Sequence, residues 1–427
     1  MAKKNPNGEG SIYQRKDGRW EGTAYVLAAD GTYKRRSVYG KTWEEAHDKL
    51  TKLKADSQSG VPVATSKMTV AEYLTYWLTH VAKVKVRRAT YVNYESLVRN
   101  YIAPGIGKKK LARLTARDIR AFLIGTAATC QCCAQGKDKK RPEYKRRCCA
   151  VGRCCKKRPS DRTVRFLLVI LRAALQHAVR EDELPRNVAK NVELSMGTKR
   201  EIEPLTVQEG RLLLAAARGN RLWAAYELAV RIGLRRGELL GLRWRDVDLV
   251  DGVVTVRQAL QRVSGQLLIV PPKTQRSARR VALPAECVTA LRAQRAQQLA
   301  DKRAAGEKWK GGAHDLIFTT RNGTPIEPRN LNRSFEVLCA RAGVRKVRFH
   351  DLRHTCASLL HEQGADARMI MEVLGHSSIR VTMDIYTFVR LDSQRSAFDK
   401  VGDALSGGAD GNLGDDDDGP VGTPVAV

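Results

Sequence analysis

The sequence predicts a multidomain protein: a small β-sheet-plus-helix N-terminal module, then an all-α domain, then a larger, mainly α (α+β) domain. Three observations predict it. The length, 427 residues, corresponds to two to four domains at about 100–200 residues each. Residues 1–60 carry aromatic and β-branched strand patterns, whereas 67–195 carry helix caps and apolar runs at helical spacing. From Glu203 onward helix and strand signals mix, giving a third region over 200–400.

Composition narrows the partners. Hydrophobic residues make up 43% of the chain, which excludes wholesale disorder. No apolar run approaches the ~18 residues of a membrane span, and the start, Met1-Ala2-Lys3-Lys4-Asn5, lacks the apolar stretch of a secretion signal. A soluble, cytoplasmic protein without a membrane partner is expected. Lys+Arg number 76 against 45 Asp+Glu, a net charge of +31. From Val401 there is no Lys or Arg and there are six Asp, so the rest of the chain is more basic still. Charge on that scale favours a polyanion such as nucleic acid over a merely basic soluble enzyme.

In the first module, Gly18–Val26 and Thr32–Tyr39 read as strands joined by a turn at Ala29-Asp30-Gly31. Thr42 with Glu45 forms a capping box for a helix, and a three-stranded sheet plus this helix fits the length. Ser57–Pro62 is a linker. In the helical domain Thr69/Glu72 and Thr115/Asp118 open helices, Ala89–Tyr101 forms another, and Ser160–Val179 a fourth. Beyond it, Thr206/Glu209 caps a helix, and Trp223–Leu242 reads as two helices broken near Gly233. Strands are expected at Val253–Val256, Leu267–Val270, Arg280–Leu283 and His314–Thr320. Residues 406–427, rich in Gly and Asp, read as a disordered acidic tail.

A cysteine-rich, basic insertion (about 128–159) parts the third and fourth helices of the all-α domain. Seven of the ten cysteines lie in it: Cys130, Cys132, Cys133, Cys148, Cys149, Cys154 and Cys155. Eleven Lys/Arg face only Asp138 and Glu143 between Cys130 and Pro159. Clustered thiols in a reducing compartment argue for metal over structural disulfides. Vicinal Cys-Cys pairs are poor chelates on one ion, however, and the spacing matches no standard zinc ribbon. Two readings therefore stay open: a structural zinc site, or a flexible thiol-bearing basic loop.

Four clusters in the last region carry the chemistry. In Gly233-Leu234-Arg235-Arg236-Gly237-Glu238-Leu239-Leu240-Gly241-Leu242, Arg235 and Glu238 stand three apart, so the carboxylate can orient a guanidinium suited to gripping phosphate. Taken alone, an ordinary surface ion pair explains that spacing. Lys273, in Pro271-Pro272-Lys273-Thr274, sits on a loop between two strands, where a Lys reaches a cleft or merely solubilises a hairpin. In His350-Asp351-Leu352-Arg353-His354 a histidine and an arginine share a helix face as a phosphate clamp. The rival zinc-protease reading needs Glu after the first His, and Asp351 stands there. Finally, Gly375 ends a helix ahead of His376, and Tyr386 lies on the next helix. A lone Tyr is usually a packing residue, but behind two His/Arg groups a nucleophilic phenol is credible.

The order Arg235, Lys273, His350-x-x-Arg353, His376, Tyr386 resembles the tyrosine recombinases, the phage integrase family, and within it the integrases of actinobacterial phages and integrative elements. The resemblance implies that residues 67–195 form the core-binding domain, with the N-terminal module a weaker match to an arm-type DNA-binding module. It implies a metal- and ATP-independent enzyme whose Tyr386 attacks a phosphodiester, leaving a 3′-phosphotyrosine and a free 5′-hydroxyl. By the same resemblance Arg235, His350, Arg353 and His376 hold the phosphoryl oxygens, Lys273 protonates the leaving oxygen, and Glu238 positions Arg235. Implied partners are double-stranded DNA attachment sites, a tetramer on synapsed DNA, and an excisionase or other accessory protein. Consistent with no nucleotide requirement, no Gly-Lys pair is preceded by the spaced glycine of a P-loop. The rivals are a type IB topoisomerase, which shares the catalytic set, a chromosome-dimer resolvase, which lacks the N-terminal module, and a silent DNA-binding regulator, which would have lost catalytic positions.

Overall fold

The computed structural model describes residues 10–27, 32–58, 67–148, 151–195, 202–272, 278–312 and 314–376, with a few positions between 378 and 405. The chain divides into two compact units, 1–199 and 200–427.

The first unit opens with an antiparallel sheet of β1 (Ser11–Gln14), β2 (Trp20–Leu27) and β3 (Tyr33–Gly40), in that order. Period-two alternation divides its faces. Ala24 and Val26 point into a small core with Leu50 of helix α1 (Trp43–Gln58), while Tyr25 and Tyr33 are exposed. Glu45 donates its N–H to Thr42 Oγ1 (3.2 Å), and its carboxylate accepts from Lys41 N (2.8 Å), so the cap spreads over one residue more than a simple box. The expected turn at Ala29-Asp30-Gly31 lies outside the described residues.

Residues 67–195 build a helical bundle. Helix α2 begins as Val70–Tyr76, passes through a π-helical stretch at Trp77–Ala82 and ends as Lys83–Lys85. Helix α3 begins as Arg88–Leu97 and likewise continues through a π-helical stretch at Val98–Ile102 into Ala103–Ile106. Helix α4 is Ala116–Ala128, and α5 a short piece, Gln131–Ala134. Helix α6, Asp161–Arg180, is the central one: Val164, Leu167, Leu168, Ile170, Leu171, Ala174 and Leu175 are all buried along one stripe, facing Tyr73, Trp77, Ile102 and Ile119. Thr69 and Thr115 close both arms of their capping boxes, and Ser160 caps α6 through Thr163 N.

The second unit packs helices around two small sheets. Helices α7 (Val207–Ala217), α8 (Trp223–Arg231) and α9 (Arg236–Leu240) precede them. Strands β4 (Val247–Asp248), β5 (Val253–Val256) and β8 (Arg279–Ala282) form one antiparallel sheet, and β6 (Ala259–Val263) with β7 (Gln266–Val270) forms a hairpin of its own. Helices α10 (Ala285–Ala305), α11 (Pro328–Arg341), α12 (Asp351–Glu362) and α13 (Ala367–Leu374) complete the unit. Tyr226, Phe318 and Phe335 are among its fully buried side chains, with Phe349 set edge-on to Phe335 at 5.4 Å between centroids.

Two expectations need correction. His314–Thr320 is not a strand: it makes only isolated bridges, Arg243 to Leu316 and Thr319 to Pro325. Its apolar Leu316, Ile317 and Phe318 are buried as core side chains, which an apolar run alone cannot distinguish from a strand. Strands β7 and β8, on either side of Lys273, do not form a hairpin either, since β7 pairs with β6 and β8 with β5.

Candidate active site

Two glycines set the site. Gly233 has φ +62, and a Cβ there would lie 2.5 Å from Leu374 Cδ2. Gly375 has φ +63, ends α13 in the left-handed conformation, and would place a Cβ 3.0 Å from Arg279. Only glycine meets both conditions cheaply. Each carbonyl then receives an arginine. Arg353 Nη1 donates to Gly233 O at 2.9 Å, and Arg235 Nη2 to Gly375 O at 2.8 Å. Arg353 also donates to Leu374 O.

Arg235 is not on a helix face. It occupies the N-cap of α9 in extended conformation, and Glu238, at the third helical position, turns back to it. Glu238 accepts from Arg235 N (3.1 Å) and Arg235 Nη1 (2.7 Å). Its other partner was not foreseen: Arg279 of β8, nearly buried, donates Nη2 to Glu238 at 3.0 Å and Nε to Val373 O at 2.6 Å. Burial works to raise the Glu238 pKa, yet the charges of Arg279 and Arg235 outweigh it and hold the carboxylate below its ordinary value. Arg279 escaped sequence reading because it sits in the charge run Arg276-Ser277-Ala278-Arg279-Arg280, where nothing marks one arginine as internal.

Three guanidiniums around one carboxylate leave an excess of positive charge. Burial, then the Arg235 charge, pull the Arg353 pKa down to about 9, so it stays cationic at neutral pH. His376 is buried, and loss of solvation, followed by the charges of Arg353 and Arg235, lowers its pKa to about 3. It is therefore a neutral imidazole. His350 occupies the N-cap position of α12 without a side-chain cap hydrogen bond; partial desolvation, then the charges of His354 and Arg353, lower its pKa too.

Arg235, Glu238, His350 and Gly375 line one open cleft of about 760 Å³, whose wall also includes Arg262, Arg348 and Pro272. Lys273 follows Pro272 directly but lies outside the described residues, as does Tyr386. Asp351 is occupied by Arg348, which donates Nη2 at 2.8 Å and its backbone N at 2.9 Å. The His350 and His354 rings meet edge-on at 5.7 Å. Among the described residues, every group of three or more potential metal ligands consists of cysteines, and these histidines belong to none of them.

The chain matches the phage integrase family over residues 204–391 and the N-terminal SAM-like domain of phage integrases over 69–124, together more than half its length. It is 28% identical over 390 residues to a XerC-like tyrosine recombinase of Caldanaerobacter subterraneus, covering 88% of this chain and 93% of the relative. It is 28% identical over 402 residues to an integrase of Streptomyces ambofaciens, covering 90% and 94%. In fold it is similar to the Tn1549 transposon integrase, solved in complex with transposon right end DNA. The TM-score is 0.61 and the identity 21%, over 78% of this chain and 100% of that one. The chain belongs to the phage integrase family, the tyrosine recombinases of site-specific DNA recombination.

Proposed function

We propose that this chain is an integrase that cuts and rejoins DNA at attachment sites through a 3′-phosphotyrosine, integrating, and in the reverse sense excising, a phage or mobile element. The observation that carries the reading is a pair of arginines fixed on two glycine carbonyls: Arg235, which lines the cleft, and Arg353, buried with the neutral His376 behind it. A phosphodiester in that cleft meets the cations that metal ions supply in other nucleases. Tyr386 Oη attacks phosphorus and releases its phenolic proton to solvent, and the bond to the 5′-oxygen breaks as Lys273 protonates it. Arg235, Arg353 and His350 draw charge from the non-bridging oxygens, and His376 adds a neutral hydrogen bond. Glu238 keeps Arg235 aimed, with Arg279 behind it. The step uses no metal and no nucleotide, because the covalent link conserves the energy of the broken bond. The cysteine insertion we read as structural.

In this reading residues 1–60 grip arm-type DNA, 67–195 the core site, and 200–400 perform the chemistry. The working species is a tetramer on synapsed DNA, served by an accessory protein such as an excisionase, on the nucleoid. A type IB topoisomerase would have no use for a separate N-terminal module. The test is a nicked suicide duplex of the candidate core site, incubated without added magnesium or ATP. The wild-type chain is expected to trap a covalent adduct. Tyr386→Phe is expected to bind the same duplex within about twofold and to trap none, since only the phenolic hydroxyl is removed. Adduct with Tyr386→Phe would remove Tyr386 as the nucleophile.

A further inference from the structure

The cysteine insertion has a core made of cysteine alone. Cys130, Cys132 and Cys148 are buried, with Cys133 and Cys155 packed against them. The large apolar residues of the segment, Tyr144 and Val151, are exposed at 81% and 51%. Ordinary hydrophobic burial therefore does not explain why residues 130–158 fold, and domains that small need staples. The order is nonetheless specific. Asp138, fully buried, accepts from Cys148 N (2.6 Å), Arg147 N (3.0 Å) and Arg141 Nη1 (2.6 Å). Gln131 N donates to Lys157 O at 3.0 Å, closing the neck of the insertion, and Gln135 donates to Asn100 O of α3 at 3.1 Å.

The sulfur geometry supplies the missing staple. The Sγ atoms of Cys130, Cys133, Cys148 and Cys154 all lie within 4.8 Å of one another, with Cys133 at 3.2 Å from Cys148 and 3.7 Å from Cys154. A tetrahedral zinc thiolate with ~2.3 Å bonds places its sulfurs about 3.8 Å apart. Four thiols within 4.8 Å of one another bracket that spacing and suffice to close the coordination of one ion, the mark of a structural rather than a catalytic site. The vicinal pairs that make poor chelates are split between roles. Cys133 and Cys154 belong to this set, whereas their neighbours Cys132 and Cys155 lie outside it and form a three-sulfur group with the shared Cys148. Within Cys130-Gln131-Cys132-Cys133 the outer two residues form a Cys-x-x-Cys, which the intervening Cys132 disguises.

We propose that the insertion is a zinc-folded module, one ion held by the thiolates of Cys130, Cys133, Cys148 and Cys154, that presents a basic loop to DNA phosphates. The DNA clause rests on the recombinase reading; the zinc clause does not. Ten of the eleven Lys/Arg between Cys130 and Pro159 are exposed, Arg141 alone being turned to Asp138. The ion and Asp138 together hold both ends of the stretch carrying Lys139, Lys140, Arg146 and Arg147, so those charges meet a backbone from a fixed frame.

The experiment measures metal in the full chain purified under reducing conditions without chelators. One equivalent of zinc is expected, released on titration with a mercurial at about four thiols per ion. Cys130→Ser and Cys154→Ser should fall below about a fifth of an equivalent, while Cys132→Ser retains the ion. Less than half an equivalent in the wild type, iron in place of zinc, two equivalents, or full retention in Cys130→Ser and Cys154→Ser would each overturn the site. The wild-type release titration decides even where a variant fails to fold. For the DNA clause, the triple variant Lys139→Glu, Lys140→Glu, Arg146→Glu keeps its zinc. Its slope of log affinity against log salt on a core-site duplex should be shallower by about 0.9 per lost contact. An unchanged slope with zinc present overturns the DNA clause alone; absence of duplex binding by the wild type would instead overturn the recombinase reading.

Discussion

His376 shows at the scale of one residue what three guanidiniums do to a neighbour. Its imidazole is buried beside Arg353 and Arg235, and its pKa falls to about 3 from an ordinary 6.5. The folded state therefore binds fewer protons than the unfolded one between those values, and stability is lost as pH falls from 6.5 toward 3. His350, shifted in the same direction, adds to the loss. Each such group contributes at most about 1.4 kcal/mol per pH unit. Urea unfolding at pH 7, 6 and 5 should show stability declining with acidification, and His376→Gln should remove up to one proton from that slope. A slope unchanged in His376→Gln would mean the ring is solvated and charged. The same neutrality fits a hydrogen-bonding group in a site where Arg235 and Arg353 already supply the charge.

Elements place those residues, and here the legible and the hidden part cleanly. The caps at Thr69, Thr115 and Thr206 were readable because a capping box is written within four residues. The helix break at Gly233 and the stop at Gly375 were readable for the same reason. What they hold was not. Arg353 reaching Gly233 O and Arg235 reaching Gly375 O span 120 and 140 residues, as does no local signal. Strands β4 and β6 are short and mixed in polarity, and the pairing of β5 with β8 skips the hairpin between them, so neither announced itself. The double duty of the glycines makes a prediction. Gly375→Ala would force an alanine into a left-handed conformation against Arg279 Cδ, moving the carbonyl that holds Arg235. Adduct formation should slow by about tenfold or more for a displacement of a few tenths of an ångström, with the fold retained. Gly233→Ala meets Leu374 at 2.5 Å and should cost about 2 kcal/mol or more in stability. Gly219→Ala, at φ +76 with nothing within 4 Å, is the control: about 1 kcal/mol of backbone strain and normal cleavage.

On the proposed reading several modules of the chain grip one polyanion, and that fixes how its parts should fail. The N-terminal sheet has its own small core of Ala24, Val26 and Leu50 and its own capped helix, so its removal takes nothing from the buried clusters of 67–195 or 200–427. In the reading proposed above, its tyrosines and arginines, Tyr25 opposite Arg35 on paired strands among them, are the second DNA grip. A tethered second grip raises the local concentration of the first, and such coupling is worth ~10²–10⁴ in avidity without altering either contact. Deleting residues 1–60 should therefore leave suicide cleavage of a short core duplex within about threefold, because every catalytic group is retained. Recombination between full attachment sites, which needs both grips at once, should drop by ~10² or more at low protein concentration and recover partly as concentration is raised. The two assays run on one preparation separate the cases. Equal loss in both would show that the module supports folding of the rest. No loss in either would show that residues 1–60 do not engage the attachment site.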